Sequence, residues 1–265
     1  MAGIKNRYSQ LIERIFAANY KKGAIEVPFR REEIISTATE LGIPLPKNLG
    51  DVIYSFRYRV ALPEAISRQA PEGMEWVIRP SGQARYTFAL TTMARIVPNR
   101  LLSETKVPDA TPGIIVRCEI NDEQGLLAKV RYNRLIDIFT GVTCYSLQNH
   151  LRTTVPAMGQ VETDEVYVGI DKRGAQYVFP VQAKGGTDQL GIVQIEQDFA
   201  ICAAKFPSLI CRPVAAQFVE DNLIALFSFE EGEKGISVSD EKHYRLVRPE
   251  KISEQDLAGY RERPV

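Results

Sequence analysis

Residues 159–186 read GQVETDEVYVGIDKRGAQYVFPVQAKGG, and the fold of the whole chain turns on this stretch. Residues 166–170 (VYVGI) and 177–181 (YVFPV) are dense in β-branched and aromatic side chains, which fit a pleated, half-buried surface. Asp171, Lys172, Arg173 and Gly174 between them supply turn chemistry, so the pattern predicts a hairpin. Closing that hairpin sets Asp164 and Glu165, which enter the first strand, beside Gln182 and Lys184, which leave the second. Gln182 and Lys184 are two apart and share a face. Asp164 and Glu165 point to opposite faces, with Glu162 on the side of Asp164. A carboxylate with an amide oxygen can hold a hard divalent cation, and an adjacent ammonium can steady an attacking water or a phosphate. The same residues also read as an ordinary surface hairpin with scattered charges. The choice among Glu162, Asp164 and Glu165 stays open at this point.

An acid on one strand followed by Gln182-Ala183-Lys184 on the next resembles the PD-(D/E)xK nuclease superfamily. In that pattern an acid opens one strand and an acid-x-lysine element follows about 10 to 30 residues later. Gln182 departs from the consensus acid; this QxK form is typical of the branch resembling Mrr-type restriction enzymes. The resemblance implies an α/β fold, a restriction endonuclease-like mixed sheet flanked by helices. It further implies hydrolysis of DNA dependent on Mg2+ (or Mn2+), with products bearing 5′-phosphate and 3′-hydroxyl ends. Asp164, Glu165, Gln182 and Lys184 would be the catalytic residues. Asp164, the side-chain oxygen of Gln182 and the carbonyl of Ala183 would hold the metal, while Lys184 orients the water and offsets charge on the phosphate. A helix ahead of the motif often adds another acid in this family, a part open to Glu123 or Asp137. Without the resemblance, Glu123 reads as a first-turn acid favoured by the helix dipole and Asp137 as a partner of Arg134. The family fold also has a strand before the first acid, and only residues 158–162 are left for it.

A chain of 265 residues, 45% hydrophobic and 25% charged, has room for one or two ordinary cores. The N-terminus alternates charge with apolar residues and no apolar run reaches membrane-spanning length, which reads as a cytoplasmic protein with no membrane partner. Cys118, Cys144, Cys202 and Cys211 are far apart with no CxxC pair, which argues against a zinc site or a disulfide framework. His150, one of two histidines, reads as a structural or surface residue. Residues 1–110 hold 16 Lys and Arg against 11 Asp and Glu, a balance of plus five, whereas residues 111–265 hold 17 against 22, minus five. A basic reader joined to an acidic metal-binding part fits that asymmetry.

Residues 1–95 are expected to form the reader. Tyr8, Leu11, Ile12, Ile15 and Phe16 recur at helical spacing, residues 25–29 are extended, and residues 30–41 return to helix before Gly42. In residues 47–59 (KNLGDVIYSFRYR), Leu49, Val52, Ile53 and Phe56 make one apolar stripe. Lys47, Asn48, Ser55, Arg57 and Arg59 are left to face outward. A hairpin follows, with Arg79 and Arg85 near its tip. Helix, strand, helix, helix, hairpin resembles a winged helix-turn-helix domain, a small α+β unit. Those seven residues are therefore the expected contacts to double-stranded DNA. The alternative is a small α+β domain whose short helix packs elsewhere.

Residues 96–113, with three prolines, are expected to be a linker, and residues 114–265 the nuclease-like domain. Residues 114–120 read as a strand, 122–139 as one long helix, 145–155 as a helix, 187–206 as a helix stopped by Pro207, and 213–219 and 223–229 as paired strands. The sequence reading is a DNA endonuclease of restriction or defence type, working as a homodimer. Its alternatives are a non-catalytic DNA-binding regulator with a degenerate nuclease-like domain, which Gln182 favours, and a nuclease acting on RNA or branched DNA.

Overall fold

The computed structural model describes residues 7–118, 123–156, 158–185, 190–233 and 235–263. It falls into two compact units. The first takes residues up to Ile96 together with Thr153–Val161 and Gly191–Val193; the second takes Val97–Arg152, Glu162–Leu190 and the chain from Gln194 onward. Among the described residues no helix is long and apolar enough to cross a membrane.

The first unit contains α1 (Ser9–Asn19), β1 (Glu26–Arg30), α2 (Arg31–Leu41), α3 (Gly50–Tyr58), α4 (Glu64–Ser67), β2 (Glu75–Pro80), β3 (Arg85–Thr91) and the two-residue β4 (Arg95–Ile96). Leu11, Ile12, Ile15 and Phe16 bury one side of α1, as their 3.6-residue spacing requires. Gly42, with φ at 65°, closes α2 in the left-handed conformation that a side chain would oppose. Val52, Ile53 and Phe56 bury the inner side of α3. The strands form an antiparallel sheet in the order β1-β3-β2. Phe16 meets Trp76 and Phe88 edge-on and knits α1 to the sheet. The expected order of helix, strand, helix, helix and hairpin is present, with α4 added.

The remaining elements are β5 (Glu104–Pro108), α5 (Gly113–Val116), α6 (Glu123–Tyr132), α7 (Leu135–Thr140), β6 (Thr143–Val155), β7 (Gly159–Ile170), β8 (Gln176–Lys184), β9 (Leu190–Gly191), α8 (Ile192–Lys205), β10 (Ile210–Cys211), β11 (Val214–Glu220), β12 (Leu223–Gly232), β13 (Gly235–Val247), a 3-10 turn at Pro249–Lys251 and α9 (Glu254–Glu262). An eight-stranded mixed sheet runs β5-β13-β12-β11-β8-β7-β6, with β10 beside β8. At the level of a mixed α/β architecture, a large mixed sheet flanked by helices, the expectation holds. The predicted hairpin is β7 and β8, antiparallel from Glu165 opposite Val181 to Ile170 opposite Gln176. β11 lies parallel to β8, a pairing that needs a crossover, and α8 supplies it. β8 is buried from Tyr177 to Ala183, the mark of a central strand covered on both faces.

Four local expectations fail. Residues 145–155 form the edge strand β6 and not a helix; Leu147 and Leu151 have helical spacing, but Leu147 is exposed and Leu151 buried. β6 directly precedes β7, the strand that carries Asp164. Residues 113–116 turn as α5, although the Ile-Ile-Val run has strand character. The single long helix is broken in two, because Arg134 sits at φ 50° and the Asn133 side chain folds back to the backbone N–H of Ala110 and the hydroxyl of Thr111. Residues 104–108, inside the expected linker, are β5, paired in parallel with β13. The expected helix start at Asp122 and the residues 186–189 that follow the motif lie outside the described residues.

Candidate active site

Three elements of the second unit bring charged side chains together. β7 contributes Asp164, β8 contributes Gln182, Ala183 and Lys184, and α6 contributes Glu123 from its first turn, where the helix dipole favours an acid. Lys184 Nζ donates to Glu123 Oε1 at 2.5 Å, joining residues 61 apart in sequence. The Lys184 side chain is only 12% exposed, so solvent screens this pair weakly. The backbone N–H of Ala183 donates to Asp164 Oδ2 at 2.8 Å, and the Lys184 charge acts on that carboxylate. Burial holds the Asp164 carboxyl above the usual carboxylate range. The Ala183 N–H and Lys184 work against that rise and the neighbouring Glu123 charge adds to it.

The open choice among three acids narrows on placement. Glu165 lies on the opposite face of β7 and is fully buried; Arg131 Nε and the Ser146 hydroxyl donate to its Oε1 at 2.9 and 2.6 Å. It is therefore not gathered with Lys184. Glu162 is part-exposed and accepts from Arg152 at 3.0 and 2.6 Å, with His150 Nδ1 3.5 Å away. Asp164 is the acid brought to Lys184. Asp137, the other helix acid, pairs with Arg134 and accepts the Cys144 N–H at 2.9 Å, so it serves the α7–β6 connection.

Gln182 is placed differently from the open ligand that the sequence predicts. Its Nε2 donates to Asp198 Oδ1 at 2.9 Å and to the Glu162 carbonyl at 3.3 Å, and its Oε1 accepts from Gln194 at 3.2 Å. Both ends of the amide are thus engaged in a buried network between β8 and α8. Asp198 is completely buried, and burial pushes its carboxyl well above the usual range. Its Oδ2 accepts no hydrogen bond. Sequence reading missed Asp198, yet a signal was there. Gln194, Gln197 and Asp198 fall at i, i+3 and i+4 on a helix otherwise striped with Ile195, Ile201 and Cys202 in the core, so three polar side chains are buried together.

Among the described residues no group of three or more His, Cys, Asp and Glu side chains is arranged to hold a metal ion. The donor set still suits a magnesium ion in one respect. Asp164 and Glu123 present two hard carboxylates, the Glu123 charge adding to the cost of ionising Asp164, and Mg2+ needs few protein ligands because it keeps several waters.

The expected DNA contacts all lie in the first unit, on and around α3 and on the β2–β3 hairpin. Asn48 is spent on the start of α3: its Oδ1 accepts the Gly50 N–H at 3.1 Å and its Nδ2 donates to Asp51 at 2.8 Å. Lys47 precedes the helix, Ser55 is half-buried within it, and Arg57 and Arg59 lie at its end. Arg79 on β2 and Arg85 at the start of β3 flank the hairpin turn, with Arg85 directly opposite Arg30 of β1. Comparisons with family models, with curated proteins and with solved structures returned no match for this chain.

Proposed function

We propose that this chain is a divalent-metal-dependent nuclease that hydrolyses phosphodiester bonds in DNA, with its reacting centre at Glu123, Asp164 and Lys184. One observation carries the reading: a lysine and two acids from three separate elements meet at the end of the β7–β8 hairpin. Support also comes from the strand β6 ahead of Asp164 and the helix acid Glu123, both parts that the PD-(D/E)xK resemblance implies.

Asp164 and Glu123 would hold Mg2+, with the Ala183 carbonyl available beside them. When bound, the ion would polarise the scissile phosphate and make its bound water more acidic. Lys184 carries three donors, of which the Glu123 contact uses one. The others can orient the attacking water and meet the charge that grows on the phosphate oxygens. Glu123 fixes the ammonium in place, and the Ala183 N–H fixes the Asp164 carboxylate. Gln182 takes a positioning part instead of a ligand's part, because Gln194 and Asp198 hold both ends of its amide.

Lys184→Ala is expected to abolish Mg2+-dependent nicking of supercoiled plasmid while DNA binding, followed by fluorescence anisotropy in EDTA, survives. Undiminished nicking would remove Lys184 from the reaction. A second reading, a DNA-binding regulator with no catalysis, is favoured by the missing third metal-binding side chain among the described residues. Under that reading the wild-type chain binds DNA but cuts neither linear, supercoiled nor methylated DNA with Mg2+ or Mn2+.

A further inference from the structure

The outer face of α3 carries more than positive charge. With Val52, Ile53 and Phe56 turned into the core, Tyr54, Arg57 and Tyr58 recur at i, i+3 and i+4 on the other side. Tyr54 is 49% exposed. Its ring meets that of Tyr58 at 4.8 Å and 63°, and each ring carries a guanidinium, Arg59 over Tyr54 at 5.2 Å and Arg57 over Tyr58 at 4.8 Å. The acid on this helix, Asp51, is held by Asn48 at its other end. Arg57 Nε and Nη2 are shielded from solvent and make no hydrogen bond. Arg57 is thus turned from solvent, and Arg59 carries the accessible charge of this face.

These features select a ligand chemistry. Two guanidinium groups already on the rings repel a cationic ligand, which an aromatic pair alone would attract. The guanidinium of Arg59, exposed beside Tyr54, calls for an anionic or strongly accepting partner. Flat π surfaces next to planar guanidinium groups favour a flat, polarisable ligand over an aliphatic one. A nucleobase joined to its own phosphates meets all three demands, and a base becomes available for stacking only when it leaves its pair.

We propose that the outer face of α3 is a stacking site for an unpaired nucleobase, with Tyr54 as its platform and Arg59 contacting the adjoining phosphates. The proposal rests on the nucleic-acid part of the reading above and does not require cleavage. It gives α3 a preference for gapped, looped or displaced strands in place of readout of intact duplex through Asn48, whose side chain is spent on the helix start.

The test uses the full chain in EDTA and a duplex with a short single-stranded gap holding 2-aminopurine. Binding is expected to quench the 2-aminopurine fluorescence. Tyr54→Ala is expected to lower the ratio of gapped to fully paired affinity about tenfold, and Tyr54→Phe to preserve it, since stacking needs the ring and not the hydroxyl. A gap built from abasic sites keeps the phosphates and removes the bases, so binding equal to that of the normal gap would overturn the proposal. Equal loss of gapped and paired binding in Tyr54→Ala would overturn it too. If quenching depends on Tyr54 yet no strand is cut when Mg2+ is added, the stacking site stands and the nuclease reading falls.

Discussion

Asp198 is a carboxylic acid placed where a charge has no solvent, and its acidity is coupled to folding. Its native pKa is raised far above the unfolded value of about 4, so between those two values the unfolded chain releases a proton that the folded chain keeps. The folded state then binds more protons, and stability falls as pH rises through that window. Asp198→Asn preserves the shape and the acceptor for Gln182 and removes the proton. Urea denaturation between pH 5 and 8 should therefore show a declining midpoint in the wild type and a flatter profile in the variant; parallel profiles would contradict this assignment. Glu165 carries the opposite lesson. It is fully buried against Arg131, and Arg131→Ala would strand it without its cation, at a cost of about 3 kcal/mol in unfolding free energy. The sequence showed that Asp164 and Glu165 face opposite ways; which of them neighbours Lys184 depended on the register of β7 against β8.

Among the elements, the β7–β8 hairpin was legible because its signals agree: β-branched strands, a four-residue polar turn and alternating charge at its open end. β6 was not. Its sequence TCYSLQNHLRTTV alternates poorly because, at an edge, six consecutive residues from Tyr145 to His150 are exposed and the core no longer imposes period two. Ser146 and Asn149, of opposite parity, both reach the Glu165–Arg131 pair, and His150 at φ 48° breaks the strand conformation just beyond them. Gly169 shows how tightly β6 and β7 meet. A Cβ there would stand 2.7 Å from Val142 Cγ1 and 3.0 Å from Thr143 O. Gly169→Ala should lower stability by roughly 1–3 kcal/mol, checked by thermal or urea unfolding. An unchanged midpoint would mean that this strand pair can separate at little cost.

For the molecule as a whole, the charge division between a basic N-terminal part and an acidic remainder was visible before any fold was known. It is an argument about association and not about shape. If Arg59 meets a phosphate, Arg59→Ala should weaken DNA binding and reduce the slope of log affinity against log salt by about 1. An unchanged slope would move the phosphate contacts off α3. The division into units was less legible, since composition marks a boundary only where the chain crosses it once. Proline content drew attention to residues 96–113, but nothing in residues 153–161 or 191–193 announces that they belong with the first unit.

That threading has a practical side. The chain leaves the first unit after Ile96, returns at Thr153, and returns once more at Gly191 for three residues. No single cut therefore frees either unit whole. A deletion mutant ending near residue 96 discards two inserted segments of its own unit, including the residue whose N–H donates to Ala94 O at 3.0 Å. For anyone dividing this gene, the natural dissection is an internal one, in which the two inserted segments are kept or replaced by short joins.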